Sequence, residues 1–248
     1  MPSGPGFSIR CSKNLRRQFY LRTTPRCGVE SGGRLPHRRD MRGDTRKRIL
    51  VTSLLLFNEH GEPATTTNEI ADEVDISPGN LHYHFRKKRQ IVEALLDEFQ
   101  ADARRVLATP EHASLDDFWV FLHLLLELTA GYRFLFRDIE TLAEAYPRVG
   151  QVLGHFARGL TATFELYLRG LSSGGMLKLG DAEAHRLAHN LVVIAMFSER
   201  FDRLAGTNAT ADDAALRVAG TILTALQPYA ADGSRPHIDE LVARYADE

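Results

Sequence analysis

An all-α fold is predicted by three features of this sequence. From Thr45 onward, apolar residues recur at steps of three and four, the spacing that gives a helix one buried face. Ser or Thr stands three residues before an acidic residue, as in Thr66 with Glu69 and Ser114 with Asp117, which is typical of a helix N-terminus. The alternation of apolar and polar residues that indicates β-strands is missing. We therefore expect helices throughout the folded part of the chain.

The first 40 residues differ from the rest in composition. They are rich in Gly, Pro, Ser and Arg, and they carry nine Lys or Arg residues against Glu30 and Asp40. We expect residues 1–40 to be a disordered basic leader. Three interpretations stay open: translation begins at Met41, the leader is a basic arm that touches DNA, or it is an Arg-rich targeting peptide.

The remaining chain is acidic, because the net charge of the whole is −1 despite the basic leader. A chain this acidic is not expected to bind nucleic acid non-specifically over its surface, so any nucleic-acid contact must come from a local basic patch. Cys11 and Cys27 both lie in the leader, which argues against a disulfide-stapled secreted fold. No apolar run approaches the roughly 20 residues of a membrane span, and no signal peptide is evident. These features predict a cytoplasmic protein with no membrane partner.

Four helices are predicted in the N-terminal part. The first ends near Gly61, and its apolar face consists of Ile49, Leu50, Leu54 and Phe57. The second runs over Thr66–Val74, and the third runs over Ser77–Phe85 with Pro78 at its first helical position. The fourth runs over Lys88–Ala103. The later helices are predicted at Leu115–Thr129, Tyr132–Ala145, Val149–Leu171, Asp181–Leu204, Thr210–Leu226 and Pro236–Tyr245.

The second and third predicted helices have the dimensions of a helix-turn-helix. Leu81 and Phe85 lie one turn apart and are expected to face inward. The exposed positions of the third helix are then Gly79, Asn80, Tyr83 and His84. Small and amide residues there allow close approach to base edges in the major groove, and the basic run at residues 86–89 is placed to contact the DNA backbone. The fold expected is a three-helix helix-turn-helix domain over residues 41–92 and a C-terminal helical bundle over residues 93–248.

Residues 45 to about 92 resemble the DNA-binding domain of the TetR family of transcriptional regulators. The resemblance is carried by Thr45-Arg-Lys-Arg-Ile-Leu, Leu56-Phe57, Gly61, Thr65-Thr-Thr-Asn-Glu-Ile-Ala71, Ile76-Ser-Pro-Gly-Asn-Leu-His-Tyr-His-Phe85 and Lys88. Two positions depart from the family pattern. His82 replaces the first Tyr of the usual Tyr-Tyr-His-Phe, and Asp75 replaces the commoner turn Gly, although Asp visits the left-handed region at modest cost.

The resemblance implies a set of DNA-contacting residues. Phosphate contacts are implied for Thr66, Thr67, Tyr83, His84 and Lys88. Positions nearest base edges are implied for Asn68, Gly79 and Asn80. Ser77 and His82 complete the expected DNA-binding set.

The family also binds small, usually apolar or aromatic effectors within its C-terminal bundle and dimerises through two late helices. We expect the effector site among Phe118, Trp119, Leu122, His123, Phe134, Arg137, Phe156 and His189. The alternative is that these residues belong to the core or to surface ion pairs. We expect the dimer interface to include Leu191, Ile194, Phe201, Leu216, Ile222 and Leu223. The alternative is that these faces pack within one chain.

The function expected is that of a ligand-responsive regulator. A homodimer binds palindromic double-stranded operator DNA, most simply as a repressor, and an effector releases it. The rival hypothesis is a helical ligand-binding or scaffold protein whose helix-turn-helix no longer binds DNA. No catalytic motif is evident, and His82 and His84 point in different directions on a helix. We therefore expect no enzyme activity, no cofactor and no metal site.

Overall fold

The computed structural model describes residues 38–108, 113–206 and 211–245. The N-terminal helices are α1 (Arg38–His60), α2 (Thr67–Val74), α3 (Pro78–His84) and α4 (Lys88–Val106). The later helices are α5 (Leu115–Gly131), α6 (Arg133–Arg137), α7 (Ile139–Ala145), α8 (Pro147–Ser173), α9 (Asp181–Leu204), α10 (Ala211–Leu226), a 3₁₀ turn (Gln227–Tyr229) and α11 (Arg235–Ala243). In the described part of the chain the only β feature is an isolated bridge between Leu177 and Ala230. The predicted all-α fold is confirmed.

The predicted leader lies almost wholly outside the described residues. Helix α1 begins at Arg38, so the last three residues assigned to the leader are helical. Residues 42–248 group into one unit by their internal contacts. Helix α4 runs across the domain boundary expected between residues 92 and 93, so one continuous helix serves both the N-terminal motif and the bundle.

The local signals for helix termini are confirmed. Thr66 caps α2 and forms the expected capping box with Glu69, and Ser114 does the same for α5 with Asp117. Ser77 caps α3, and Pro78 occupies its first position, where the missing N–H costs no hydrogen bond. Each of these devices involves residues within one turn of each other, which is why the sequence predicts them well.

One predicted helix is wrong. The segment Tyr132–Ala145 is two short helices, α6 and α7, separated at Asp138, whose φ of −136° and ψ of 58° are not helical. The residues of α6 that enter the core are consecutive, from Phe134 to Phe136, whereas α7 buries only Leu142. The break lets the two halves turn independently toward the core. Pro147 starts α8 directly.

The core of the bundle is rich in aromatic side chains. Phe99 of α4 packs edge-to-face against Tyr132, Phe136 and Phe156. A second group joins α5 to α8, because Phe121 stacks on Tyr167 at 5.0 Å and Phe118 lies 5.5 Å from the same ring. Helix α8 packs along both α7 and α9. Over the described residues, no helix is long and apolar enough to cross a membrane.

Candidate nucleic-acid interface

The turn between α2 and α3 is fixed by backbone geometry. Asp75 adopts the left-handed conformation with φ 57° and ψ 54°. Its N–H donates to the carbonyl oxygen of Asp72, and the N–H of Ile76 donates to that of Ala71 at 3.0 Å. These are the two bonds of a Schellman motif. Arg48 of α1 adds a hydrogen bond to the carbonyl oxygen of Val74. The angle between α2 and α3 is therefore set by hydrogen bonds as well as by packing.

The inner face of α3 anchors it to the rest of the motif. Leu81 is fully buried and Phe85 is almost so, as their spacing predicts. The guanidinium group of Arg46 in α1 lies 4.8 Å from the centre of the Phe85 ring. Since α3 has only seven residues, this packing, rather than helix propensity, holds it in place.

The opposite face of the motif is open to solvent. Tyr83 is 61% exposed, and its ring makes an edge contact with His84. The other members of the expected DNA-binding set that are exposed are Thr66, Asn68, Ser77, Gly79, Asn80 and His82, while Thr67 and His84 are half-buried. Seven of the ten predicted residues are thus exposed, and Lys88 is half-buried like Thr67 and His84.

The hydroxyl groups on this face are held in defined positions. Thr66 Oγ1 accepts from the N–H of Glu69, and Ser77 Oγ accepts from the N–H of Asn80. Each hydroxyl still has its own hydrogen to donate to an acceptor such as a phosphate oxygen. The hydrogen bonds from Thr66 also hold the pKa of the Glu69 carboxyl below its usual value, so the capping box stays charged.

Gly79 is not required by the interior of the motif. A Cβ atom placed there would meet only Ser77 Oγ, at 3.9 Å, which is an ordinary contact. The fold itself would therefore accept alanine. What the glycine provides is a flat outer surface on the first turn of α3, where another molecule can approach the backbone.

Lys88 lies inside the motif rather than on its outer face. Its ammonium group donates to the carbonyl oxygens of Glu62 and Thr65 at 2.9 and 3.0 Å, and it forms an ion pair with the Glu62 carboxylate at 2.9 Å. These three oxygen atoms surround the ammonium group. In this structure Lys88 holds the loop before α2, and a phosphate contact would require the ammonium group to give up one of these partners.

The carboxylate of Glu62 links this loop to the bundle. Glu62 is 5% exposed, and its Oε1 also accepts from the hydroxyl of Tyr146 at 2.6 Å. Burial and this hydrogen bond raise the pKa of Tyr146. Arg89 adds to the contact, since it donates to the carbonyl oxygen of Ala145 and lies over the Tyr146 ring. Sequence reasoning missed Glu62, because its partners are remote in the chain.

The basic run at residues 86–89 divides into two pairs. Lys88 and Arg89 are engaged within the protein, as described above. Arg86 and Lys87 are exposed and lie just after α3. Arg46 and Lys47 of α1 are also exposed, and Arg46 lies over the Phe85 ring, so its positive charge adds to that of Arg86 and Lys87 at the C-terminal end of α3.

A second polar contact joins the end of α1 to the bundle through Asn58. Its side-chain amide donates to the carbonyl oxygen of Gly131 at 2.7 Å and accepts from the N–H of Phe134 at 3.0 Å. Its backbone carbonyl accepts from Arg133 Nε and from Arg137 Nη2, both at 2.8 Å. Helix ends leave carbonyl groups without helical partners, and the two guanidinium groups supply partners with the favourable charge.

The residues expected to form an effector site do not line one cavity. Phe118, Leu122, Phe134 and Phe156 are buried, and His189 is exposed on α9. Arg137 is directed to the end of α1. The remaining two, Trp119 and His123, contact each other with ring centres 4.0 Å apart and planes inclined by 43°, and His123 Nε2 lies 3.0 Å from the hydroxyl of Tyr245. This group attaches the C-terminal segment to α5.

A cleft does open between α5, α6, α9 and α10. Its cavity volume is small, about 40 Å³, and its mouth is open to solvent. Its lining combines apolar residues with three arginines, one glutamate and one threonine, and it comprises Leu126, Thr129, Ala130, Arg133, Phe136, Ala195, Met196, Glu199, Arg200, Arg203, Ala214, Ala215 and Val218. None of the eight residues expected at the effector site is among them.

The residues expected at the dimer interface are divided by the structure. Leu191, Ile222 and Leu223 are buried within the chain, and Ile194 and Leu216 are half-buried. Phe201 is 70% exposed. The inward face of α9 runs through Leu187 and Leu191, so a residue two positions further along, at about 200° around the helix, faces outward.

This outward face of α9 carries an apolar stripe. It consists of Val193, Phe197, Phe201 and Leu204, each between 38% and 87% exposed. Their spacing of four, four and three residues places them on one side of the helix. Contiguous exposed apolar residues of this size mark an interaction surface. Among the described residues, no three His, Cys, Asp or Glu side chains are grouped as they would be around a metal ion.

Comparisons with known proteins agree with this geometry. Residues 49–95 match the family model described as bacterial regulatory proteins, tetR family. Residues 98–238 match the TetR model described as bacterial transcriptional repressor. The two matched regions meet within α4, the helix shared by the motif and the bundle.

Individual proteins match over most of the chain. YvkB, an uncharacterised HTH-type transcriptional regulator of Bacillus subtilis, is 26% identical over 160 residues, which cover 63% of this chain and 82% of YvkB. The crystal structure of a TetR-family transcriptional regulator from Marinobacter aquaeolei VT8 has a TM-score of 0.73 at 29% identity and covers 81% of this chain and 98% of its own. A γ-butyrolactone receptor, an ArpA-like protein, shares the fold with a TM-score of 0.58 at 20% identity, covering 83% and 98% of the two chains.

Proposed function

Because this chain belongs to the TetR family of bacterial transcriptional regulators, we propose that it binds a palindromic operator as a homodimer and represses transcription until a small molecule releases it. The protein acts on DNA in the cytoplasm and has no catalytic role. The observation that carries this proposal is the exposed face of α2 and α3, which presents hydroxyl, amide and aromatic groups on a turn held by hydrogen bonds.

The role of each element in DNA binding follows from its exposure. Asn68, Gly79 and Asn80 lie on the open face, where they reach base edges in the major groove. Thr66, Ser77 and Tyr83 contact phosphates beside them, and Arg86 and Lys87 add charge without sequence preference. The acidic remainder of the chain contributes no attraction, so affinity depends on this patch.

Dimerisation is expected through the outward stripe of α9. One α3 helix contacts too few base pairs to select a single operator in a genome, whereas a two-fold dimer reads two half-sites in successive major grooves. The stripe of Val193, Phe197, Phe201 and Leu204 provides a self-complementary apolar surface for an isologous interface.

Release by a small molecule requires that the bundle and the motif be coupled. The contacts of Glu62 with Tyr146 and of Asn58 with the α5–α6 junction support such coupling. A ligand that binds better to the arrangement unable to contact DNA shifts the population toward it. The family resemblance to a protein known as a γ-butyrolactone receptor is consistent with a small-molecule signal.

The test is selection of DNA fragments by the purified protein, followed by binding measurements at increasing salt. We expect an inverted repeat to be selected and the affinity to fall steeply with salt concentration. Asn80→Ala should relax preference at one position of each half-site by about 1 to 3 kcal/mol. If the protein binds no DNA even at low salt, the rival hypothesis holds, namely a ligand-binding or scaffold protein whose helix-turn-helix no longer binds DNA.

A further inference from the structure

The cleft between α5, α6, α9 and α10 has an unusual charge distribution for a site expected to bind an apolar effector. Three arginine side chains, Arg133, Arg200 and Arg203, line it beside a single acidic residue, Glu199. The rest of the lining is formed mainly by Ala, Leu, Met, Phe and Val. The cleft therefore offers positive charge at one part of an otherwise apolar wall.

The partners of these arginines leave them available to a ligand. Arg203 pairs with Glu199 at 2.9 Å, and both side chains are between 40% and 50% exposed. Arg200 pairs with Glu140, which is 69% exposed. Surface ion pairs of this kind contribute little stability and exchange readily. An anionic ligand at this partly exposed site can therefore replace such a partner at small cost.

Arg133 differs from the other two arginines in its partners. Among the described residues no carboxylate lies within salt-bridge distance of it or of its neighbour Arg137, and Arg133 Nε donates to the carbonyl oxygen of Asn58. Arg137 lies just behind the cleft, with its Nε buried and without a hydrogen-bond partner in the described part of the chain. Burial and the charges of Arg203 and Arg133 lower the pKa of Arg137. Positive charge is therefore in local excess here.

We propose that the effector is a small amphiphilic anion whose carboxylate or phosphate group binds Arg133 and Arg203, and whose apolar part lies against Leu126, Phe136 and Met196. This inference rests on the proposed function and specifies its ligand. A guanidinium group presents two parallel donors that match carboxylate and phosphate oxygens. A neutral apolar ligand in the same place would remove the arginines from water without giving them a partner.

The position of Arg133 links this site to the DNA-binding motif. One side chain lines the cleft and also donates to the last turn of α1. The cleft is narrow, so a ligand must part the arginines from their present partners in order to enter. An anion bound to Arg133 competes with the carbonyl oxygen of Asn58, and it therefore weakens the attachment of α1 to the α5–α6 junction. By linkage, DNA binding and anion binding oppose each other.

The ligand-binding test uses three probes with the same alkyl chain, namely octanoate, octyl phosphate and 1-octanol. Their affinities for the full chain are measured by isothermal titration calorimetry without DNA. We expect at least one anion to bind about tenfold or more tightly than 1-octanol, and the better of the two to identify the head group. Equal binding of alcohol and anions, or no binding of either anion, overturns the proposal.

Variants assign the site to the arginines. Arg133→Gln and Arg203→Gln should each weaken binding of the anion about tenfold. Arg244→Gln, which removes another solvent-exposed i,i+4 pair, with Glu240 of α11, should bind it as tightly as the parent. Arg133→Gln also removes a hydrogen bond from α1, so Arg203→Gln carries the test if Arg133→Gln does not fold. Parent-like affinity in Arg203→Gln overturns the assignment.

A final measurement separates this inference from the proposed function. The affinity for the selected operator is measured with and without octanoate or octyl phosphate, whichever binds. At a concentration where the anion lowers the DNA affinity of the parent about tenfold, it should lower that of Arg203→Gln by no more than about twofold. An anion that binds the cleft without changing DNA affinity overturns the coupling. If the protein binds the anion but binds no DNA, the anion site stands and the proposed function is refuted instead.

Discussion

Replacing Lys88 by Met distinguishes a structural role of this residue from a DNA contact. The change removes the ammonium group and keeps an unbranched side chain of similar length. It leaves the Glu62 carboxylate, which is 5% exposed, with only the Tyr146 hydroxyl among its side-chain partners. The carbonyl oxygens of Glu62 and Thr65 lose the same donor. The loop before α2 should therefore lose stability.

The magnitude follows from the burial of the pair. Removing one partner of a fully buried ion pair costs about 3 to 5 kcal/mol. The Lys88 side chain is 26% exposed, so water replaces part of the loss, and we expect about 2 to 3 kcal/mol. Urea unfolding at neutral pH measures this difference, with Lys87→Met as the control, because Lys87 is exposed and carries the same charge.

A double variant tests the explanation. Glu62→Gln removes the stranded charge, so Lys88→Met combined with Glu62→Gln should lose less free energy of unfolding than the sum of the two single changes. The opposite outcome is equally clear. If Lys88→Met unfolds like the parent but its DNA binding shows a salt slope reduced by about one, Lys88 is a phosphate ligand, and the structural reasoning is refuted.

Three further predictions concern the DNA face, the dimer and the C-terminal segment. Gly79→Ala should raise the free energy of unfolding by about 0.5 to 1 kcal/mol and yet weaken operator binding, because the added methyl group points outward; unchanged DNA affinity would place the DNA elsewhere. Phe201→Glu should give a monomer by sedimentation that has lost specific binding, because a carboxylate in an apolar interface costs several kcal/mol, whereas Val120→Glu, an exposed site on α5, should remain dimeric. Burial raises the pKa of Tyr245 to about 12, so its contribution to the free energy of unfolding is complete below pH 10 and is lost as the pH rises towards 12. The difference between the ultraviolet titration curves of the parent and of Tyr245→Phe measures this pKa, and a value near the ordinary 10 of a phenol would contradict the prediction.

The structure shows which parts of the fold depend on local signals. The cap at Thr66, the cap at Ser77 and the left-handed Asp75 each involve atoms within one turn of the chain. Such features are independent of tertiary packing, so the sequence predicts them. The exposed face of α3 is likewise predicted, because the spacing of Leu81 and Phe85 determines which side is buried.

Other features depend on partners that are distant in sequence. The sequence of α9 shows which of its residues are apolar. It does not show which of them pack against the core of the same chain and which are exposed on the outer face. Leu191 therefore appears equivalent to Val193 in the sequence, although one is buried and the other is 46% exposed. Glu62 and Tyr146 are 84 positions apart, and no local pattern relates them. The cleft lining is missed for the same reason.

The attachment of α1 through Asn58 bears on the engineering of chimeric regulators. Chimeric regulators are made by exchanging the DNA-binding domain between relatives, on the assumption that this domain is independent of the bundle. In this protein the main chain and side chain of Asn58 are both bonded to the α5–α6 junction. A graft cut at residue 92 brings a foreign residue to that position. Its main-chain carbonyl still accepts from the two arginines of the host, but unless it is Asn, the carbonyl oxygen of Gly131 and the N–H of Phe134 lose their side-chain partner. A working chimera should therefore carry the α5–α6 junction, residues 131–137, along with the DNA-binding domain.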